Sequence, residues 1–195
     1  MSTQPEPYLT AEDYLALERQ AEVKSEYLDG EMVAMAGASR EHNLIVGNLV
    51  REIGLQLKGR PCEVYPSDMR LQIPATGLYT YPDVTVVCGE PRFEDDESDV
   101  LVNPTLIVEV LPSSTESYDR GKKFEHYRTL DSLAGYVLVA QDEPRIEQFV
   151  RQPDDRWLFA ASAGLEAVVS LPSIQCEIAL AEVFDKVKFA QAKAR

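Results

Sequence analysis

The chain has 195 residues, of which 45% are hydrophobic and 27% charged, and this composition is typical of a globular protein with one well-buried core. We expect a single domain with its core from about residue 8 to residue 187 and short tails at 1–7 and 188–195. No apolar run approaches the roughly 18 to 20 residues that cross a bilayer, and residues 1–7 do not resemble a secretory signal. These features predict a soluble, cytoplasmic protein.

The balance of charge is strongly acidic. Asp and Glu number 33 against 19 Lys and Arg, for a formal net charge of -14. This excess counts against extended, non-specific binding to a polyanion such as DNA. Part of it lies in residues 90–99, which we predict to form a solvated acidic loop.

The three cysteines, Cys62, Cys88 and Cys176, are odd in number and widely spaced. None is part of a C-x-x-C pair, which a zinc or redox site of the common kind would require. The pattern therefore predicts buried, reduced thiols and neither a disulfide nor a metal site.

The N-terminal third predicts a helix, a hairpin and a second, longer helix. Thr10 is followed by acidic and apolar residues, which predicts a short helix capped by the threonine. Asp29 and Gly30 lie between two short strand-like runs, and both residues of such a turn tolerate positive φ. From Ser39 to Leu57 apolar residues recur at helical spacing.

The rest of the chain consists of candidate strands and helices. Seven runs have the apolar or alternating pattern of strands: 62–65, 69–73, 81–88, 105–111, 135–140, 146–150 and 157–161. A second long helix is predicted from about Glu116 to Leu130, and a closing helix from Ile178 to Val187. This order predicts an α/β (α+β) fold, with a mixed central sheet flanked by helices and preceded by a helix and a β-hairpin.

Two of the most apolar predicted strands each contain one acidic residue. Asp83 lies in the run 81–88, and Glu109 interrupts the aliphatic run 105–111. A carboxylate in such a strand is costly if it is buried without a partner. Either acid alone could form a buried ion pair, for example with Arg70. Together they offer the hard oxygen ligands that Mg²⁺ prefers, and such a metal can activate water for hydrolysis.

A third candidate lies on the second predicted helix. Asp119, Lys123 and Tyr127 are spaced at i, i+4 and i+8 and so share one helical face. A packed helix could direct the Lys123 ammonium at the two acids, where it would orient a hydroxide or stabilise charge on a phosphate. The alternative is a solvated lysine paired with Asp119.

Several ordered motifs carry a resemblance to a known family. They are Pro82-Asp83, the run from Ile107 to Thr115 and the run from Asp119 to Tyr127, with the upstream residues Tyr27 to Glu31 and His42-Asn43. On these residues the chain closely resembles the Uma-type family of restriction endonucleases, within the PD-(D/E)XK (restriction-endonuclease-like) nuclease superfamily. The likeness covers most of the chain.

The resemblance implies an endonuclease that hydrolyses phosphodiester bonds of DNA with Mg²⁺ or Mn²⁺. It implies that Asp83 and Glu109 hold the metal. In the common motif a lysine lies two residues after the second acid, but Leu111 occupies that position here. The resemblance therefore implies a migrated lysine, Lys123, with Lys122 as the alternative.

Three further residues are accessory candidates. His42, in the first turn of the long helix, could face the site or serve as a structural histidine. Glu31 could be an extra acid near the metal or could pair within the hairpin, and Tyr127 follows Lys123 at the spacing of the family. A homodimer would let two sites address two DNA strands.

Two functions of other classes remain open at the level of sequence. A catalytically silent module that acts as a protein-interaction scaffold explains the acidity more simply. Retention of Asp83, Glu109 and Lys123 together argues against it. Glycoside hydrolysis by the paired acids would leave the lysine without a role.

Overall fold

The computed structural model describes residues 8–111 and 118–189. Its helices are α1 (Ala11–Glu18), α2 (Arg40–Leu57), the π-helical turn π1 (Asp119–Lys123), α3 (Phe124–Tyr127) and α4 (Leu180–Val183). Its strands are β1 (Ser25–Leu28), β2 (Glu31–Ala34), β3 (Cys62–Pro66), β4 (Arg70–Ile73), β5 (Leu78–Thr80), β6 (Val84–Cys88), β7 (Val100–Leu101), β8 (Leu106–Leu111), β9 (Gly135–Ala140), β10 (Arg145–Arg151), β11 (Trp157–Ala163), β12 (Val168–Leu171) and β13 (Cys176–Ala179). No helix in these two ranges is long and apolar enough to span a membrane.

The strands form three sheets. The largest has six strands in the order β11-β10-β9-β8-β6-β3, and it is mixed because β8 and β9 run parallel while the other neighbours are antiparallel. A five-stranded sheet has the order β2-β1-β5-β4-β7, and β12 pairs with β13. This mixed α+β architecture with flanking helices is the predicted fold class.

The six-stranded sheet separates two apolar cores. The apolar stripe of α2, which includes Ile45, Leu49 and Ile53, packs against one face together with β12, β13 and α4. The other face packs against Tyr127 and Leu130 and against residues of β4 and β5. Burial on both faces explains why the central strands are almost wholly apolar, and it makes any acid in them exceptional.

The local signals of the N-terminal third act as predicted. The Thr10 hydroxyl accepts from the backbone of Asp13 in a capping box that starts α1. Asp29 and Gly30 both have positive φ, 51° and 86°, and join β1 to β2. The Ser39 side chain accepts from the backbone of His42 at the start of α2, which helps to orient the first turn of that helix.

Three predicted elements differ in the structure. The run 81–88 forms a strand only from Val84, because Pro82 cannot donate to a ladder and restricts the residue before it. The predicted closing helix 178–187 is instead the end of β13 followed by the short α4, with alternating burial along the strand. The helix predicted from Glu116 begins outside the described residues, and its described part opens with the π-helical turn.

The prediction of three reduced cysteines was wrong for two of them. Cys62 and Cys88 form a disulfide, and Cys176 is free and buried. The two bonded residues are 26 positions apart in sequence but directly opposite each other in the antiparallel register of β3 and β6. Sequence spacing could not reveal this pairing, because strand register brings the two residues together.

This disulfide leads to a prediction about thiol content and stability. The denatured, unreduced protein is expected to titrate one thiol, and reduction is expected to expose all three and to lower the free energy of unfolding by about 2–4 kcal/mol, because the released loop gains conformational freedom when unfolded. Thiol titration and denaturant unfolding with and without reductant measure both effects. Three thiols before reduction would contradict the disulfide.

Candidate active site

The two acids of the sequence analysis meet at the end of β6. Val84 pairs with Val108 and Thr85 with Ile107, so that the next pair in this register would be Asp83 and Glu109. The Asp83 Oδ2 atom accepts a hydrogen bond from the backbone of Val110 at 2.7 Å, which holds Asp83 against β8 just before the first residue of β6. Both carboxylates therefore lie on neighbouring positions of one sheet.

Lys123 reaches the same place from π1. Its Nζ atom lies 3.2 Å from Glu109 Oε1, 3.1 Å from Glu26 Oε1 and 3.4 Å from Asp119 Oδ1. Only 8% of the Lys123 side chain and 6% of the Glu109 side chain are exposed. The solvated lysine considered above is thus excluded, although the predicted pair with Asp119 does form.

Tyr127 also contacts Glu109. Its hydroxyl donates to Glu109 Oε1 at 2.7 Å, and its side chain is fully buried. Lys123 and Tyr127 therefore contact the same carboxylate oxygen, Oε1 of Glu109. The π-helical turn carries Asp119 and Lys123 and leads directly into the α-helical turn of Tyr127. Such turns occur frequently at functional sites.

Aromatic packing anchors the helical segment above the sheet. Phe124, the first residue of α3, stacks on Tyr136 and Phe149, with ring centroids 5.3 and 4.5 Å apart. The Tyr136 hydroxyl in turn donates to the backbone oxygen of Asp119 at 2.9 Å. These contacts hold π1 and α3 in a fixed position over β9 and β10, and so hold the lysine in place.

Burial and the surplus of acids decide the electrostatics of the site. Burial raises the pKa of Glu109 to about 8, which Lys123 opposes and the charges of Asp83 and Asp119 reinforce. Burial alone would lower the pKa of Lys123, but Glu109, Glu26 and Asp119 together raise it well above its usual value. The lysine is therefore firmly protonated, while Glu109 resists ionisation until more positive charge is present.

The accessory candidates differ in their placement. His42 Nε2 lies 3.2 Å from Asp83 Oδ1, with 14% of each side chain exposed, so the first turn of α2 reaches the site as proposed. The His42 Nδ1 atom is buried and has no hydrogen-bond partner within residues 8–111 and 118–189. Glu31 is exposed and lies opposite Leu28 in the register of β1 and β2, beside the hairpin turn. Lys122, the alternative to Lys123, is exposed.

Arg70 was the suggested ion-pair partner of Asp83 or Glu109, but in the described part of the chain it contacts other residues. Its guanidinium contacts the Tyr81 hydroxyl at 2.8 Å and Asp99 at 3.3 Å. Asp99 and Asp95 also pair with Arg19, at 2.9 and 2.6 Å. Part of the acidic stretch 90–99 is therefore neutralised by ion pairs, and its description as simply solvated was incomplete.

Glu26 and Thr80 belong to the site but were absent from the predicted residues. Glu26 lies on β1, and its Oε1 atom accepts from the Thr80 hydroxyl at 2.5 Å in addition to its contact with Lys123. Because β1 pairs with β5 through Tyr27 and Tyr79, the five-stranded sheet brings Glu26 beside residues that follow much later in sequence. A lone acid in an otherwise ordinary hairpin strand gives no signal for this contact.

The donor atoms fit a hard cation with few protein ligands. Within the described ranges no group of three or more His, Cys, Asp or Glu side chains is arranged to hold a metal. Mg²⁺, however, is usually bound by one or two carboxylates and completes its shell with water and substrate phosphate. Asp83 and Glu109 are the candidates for that pair, and burial, the largest cause of the raised pKa of Glu109, is reinforced by the charge of Asp83.

Comparisons with known proteins identify the family and the fold of the chain. A family model, Uma2, described as "Putative restriction endonuclease", matches residues 11–181. Two uncharacterized proteins of Synechocystis are 41% and 39% identical to this chain, each over 83% of it and over 91% and 86% of their own lengths. A crystal structure titled as a putative nuclease belonging to DUF820, from Anabaena variabilis, superposes with a TM-score of 0.73 at 18% identity and covers 92% of this chain and 99% of that one. At that identity the superposition shows a shared fold.

Proposed function

The chain belongs to the Uma2 family of restriction-endonuclease-like proteins, and from this we propose that it is a divalent-metal-dependent endonuclease that hydrolyses phosphodiester bonds of DNA in the cytoplasm. The observation that carries the proposal is the meeting of Asp83, Glu109 and Lys123. Asp83 is held beside β8 next to the position of Glu109, and a buried ammonium lies 3.2 Å from Glu109. An ion pair with a purely structural role needs one acid for one lysine. Here three acidic side chains contact Lys123.

Each side chain would have a distinct task in hydrolysis. Asp83 and Glu109 would hold Mg²⁺ or Mn²⁺, which when bound supplies an acidified water and charge stabilisation at the phosphate. Lys123, kept protonated by its three acidic neighbours, would stabilise the negative charge that develops on the phosphoryl oxygens. Tyr127 fixes the Glu109 carboxylate by donating to it, and His42 limits the rotation of Asp83 through its contact with Oδ1.

A second candidate function is a catalytically silent scaffold for protein partners. The net charge of -14 favours it, because a strongly acidic surface repels a polyanionic substrate. This candidate gives no reason for the surplus of buried carboxylates, whose burial is costly without a cation.

The deciding experiment is DNA cleavage by the purified protein. Supercoiled plasmid, single-stranded DNA and RNA of the same sequence would be incubated with Mg²⁺ or Mn²⁺ and with a chelator. Cleavage that requires metal and is lost in both D83A and E109A supports the proposal. Equal residual cleavage by the wild-type protein and both variants, or none with either metal, would instead favour the scaffold.

Replacement of Glu26 tests its role as a positioning residue. Glu26→Gln keeps an oxygen for Thr80 but removes one negative charge beside Lys123, and we expect cleavage to fall by about 10- to 100-fold, the range typical of residues that support a metal site from outside. The alkaline limit of the pH–rate profile should also move to lower pH, since Lys123 loses one stabilising neighbour.

The matched control for Glu26 is on the facing strand. Glu31→Gln removes the same charge from the same hairpin at an exposed position and is expected to leave both rate and pH profile unchanged. Equal losses in the two variants would show that Glu26 acts only through the overall charge of the hairpin.

A further inference from the structure

A second buried acid lies on the same face of the six-stranded sheet as Glu109. Glu109 pairs with Leu138 on β9, and Leu138 pairs with Glu147 on β10. Side chains of residues paired in this way across neighbouring strands lie on one face of a sheet, and Leu138 belongs to the core that contains Tyr127. Only 3% of the Glu147 side chain is exposed. The face that carries the candidate site therefore holds a further buried carboxylate.

Two arginines contact this carboxylate. The Arg120 guanidinium donates to Glu147 Oε2, and the Arg145 guanidinium donates to Glu147 Oε1. Arg120 belongs to π1, whereas Arg145 is the first residue of β10. Arg145 also lies 3.4 Å from Glu143, but this pair is exposed and such pairs contribute little. Each oxygen of one buried acid thus holds a guanidinium from a different element, and one carboxylate cannot balance both charges.

Both arginine side chains are partly open to solvent. The exposed fraction is 31% for Arg120 and 41% for Arg145, although the acid that they share is buried. Arginines that are already held by a buried acid lose less conformational freedom when a ligand binds. A guanidinium in a fixed position is suited to phosphate, to which it can donate two parallel hydrogen bonds. The pair therefore has the chemistry of a phosphate-binding site.

The turn π1 connects this arginine pair with the candidate active site. Lys123 of π1 contacts Glu109, and Arg120 of the same turn contacts Glu147. Two strand spacings of about 4.8 Å separate Glu109 from Glu147, so the two acids lie roughly 10 Å apart along the sheet. One strand of a nucleic acid helix rises about 3.4 Å for each phosphate. The separation therefore corresponds to about three nucleotides.

We propose that Arg120 and Arg145, held in position by Glu147, form a second phosphate-binding site, which contacts the substrate strand about three nucleotides from the phosphate that is cleaved. This site rests on the proposed function, because its place is defined relative to the cleaved phosphate. Its ligand is a phosphodiester group of the nucleic acid backbone. A chain with a net charge of -14 repels a polyanion at long range, so binding depends on cations fixed at close range.

The salt dependence of DNA binding tests this site. The probe is a fluorescein-labelled duplex of about 20 base pairs, or about two helical turns. The intact protein binds it at a constant concentration of Ca²⁺, which like Mg²⁺ takes carboxylate oxygens as ligands. Fluorescence anisotropy gives the affinity between about 50 and 200 mM salt, and each phosphate contact adds about 0.9 to the slope of log affinity against log salt concentration.

Removal of either arginine is expected to remove one phosphate contact. Arg145→Gln and Arg120→Gln should each lower the slope by about 0.9 and weaken binding by about 10-fold at the lowest salt concentration, as is usual for a hydrogen bond to a charged group. The two arginines lie on different elements, so a folding defect in one variant leaves the other as a test. Circular dichroism spectra identify such a defect.

Two further variants separate a phosphate contact from an effect on the fold. Arg145→Lys keeps the positive charge but cannot donate two parallel hydrogen bonds, so it is expected to keep the slope of the wild-type protein while binding more weakly. Arg156→Gln is the matched control. It removes the same charge from the turn between β10 and β11, where the Arg156 side chain is 83% exposed and pairs with Asp154, and it is expected to change neither slope nor affinity.

Several results would overturn the second phosphate site. They are a wild-type protein that does not bind the duplex, an unchanged slope in both R145Q and R120Q, an equal decrease in R156Q, and a decrease in R145K as large as that in R145Q. Failure of the proposed function gives a different result. Metal-dependent cleavage with unchanged slopes would remove only the second site, whereas lower slopes without any cleavage would support phosphate binding and contradict the nuclease.

Discussion

Glutamine at position 109 is expected to abolish metal-dependent cleavage while leaving the protein folded. Loss of an outer partner of a metal ligand typically costs about 10- to 100-fold, and loss of the ligand itself should exceed that range. Glutamine has nearly the same shape and can still accept the 2.7 Å hydrogen bond from Tyr127. A plasmid-cleavage rate measured at saturating Mg²⁺ and again at raised Mg²⁺ separates weaker metal binding from loss of the chemical step.

The same variant should change how stability depends on pH. Burial raises the pKa of Glu109 to about 8 from a usual value of 4.5, so the folded state holds this proton more tightly than the unfolded state. The contribution of Glu109 to stability is then fully present below its unfolded pKa and is lost as pH rises through its folded pKa. In chelator, the wild-type protein should therefore lose stability relative to E109Q between about pH 5 and pH 9.

Thermal unfolding at several pH values measures this difference. We expect the melting temperature of E109Q minus that of the wild type to rise by several degrees across the range, since about 1 kcal/mol corresponds to roughly 2–4 °C in a domain of this size. A difference that stays constant with pH would show that Glu109 is already ionised in the metal-free fold. The raised pKa would then be contradicted, whatever the cleavage assay shows.

Replacement of Lys123 is expected to have the largest effect on stability. Lys123→Met preserves the apolar stem but leaves Glu109, Glu26 and Asp119 without their shared ammonium. Breaking a buried ion pair by removing one partner costs about 3–5 kcal/mol, and here Glu109, Glu26 and Asp119 lose contacts of 3.1–3.4 Å. Cleavage should be lost as well, because methionine carries no charge to stabilise the phosphate.

The pH dependence of this loss identifies its cause. Without the lysine, which opposes the effect of burial, the pKa of Glu109 should rise further, so that lowering the pH keeps Glu109 neutral. The deficit of K123M in free energy of unfolding should therefore shrink as pH falls toward about 5. Chemical denaturation at three pH values is the measurement. A deficit that is independent of pH would point to lost packing of the lysine stem as the cause.

Lys122 provides the matched control for Lys123. It is the preceding residue on the same turn but is exposed, so Lys122→Met is expected to change stability by less than about 0.5 kcal/mol, as is usual for surface positions. Cleavage should also be little affected. If K122M loses activity and K123M keeps it, the alternative lysine is the functional one and Lys123 is structural.

The local pattern of the sequence was sufficient for much of the fold. Thr10, Asp29-Gly30 and Ser39 begin or join elements where predicted, because caps and tight turns depend on the conformational preferences of a few adjacent residues. The pattern failed around Pro82 and from Ile178 onward, where strand and helix preferences compete and the sheet decides between them. Residues 178–187 contain the end of β13 and the short α4, and they do not form one helix.

Some residues of the candidate site could likewise be predicted from sequence, and others required the structure. Asp83 and Glu109 could be selected as candidates from sequence, because a charged group in an apolar strand must have a partner, and Lys123 could be selected from its helical face together with the family resemblance. Glu26 could not, because it contacts Lys123 only through the pairing of the five-stranded sheet, across 97 residues of sequence. The same holds for the Cys62–Cys88 disulfide, which depends on the register of β3 and β6.

The amino-acid sequence by itself determined the turns, the caps, the mixed α/β class and the three central residues of the site, since each depends on neighbours in the chain or on a charge that is costly to bury. Only the tertiary structure decided that Lys123 is buried among three acids, that Glu26 contacts it while Glu31 is exposed, and that β11 is an outer strand among the described residues. These outcomes depend on which strands become neighbours. The order of the strands depends on the packing of both cores together, so it cannot be read from any single segment.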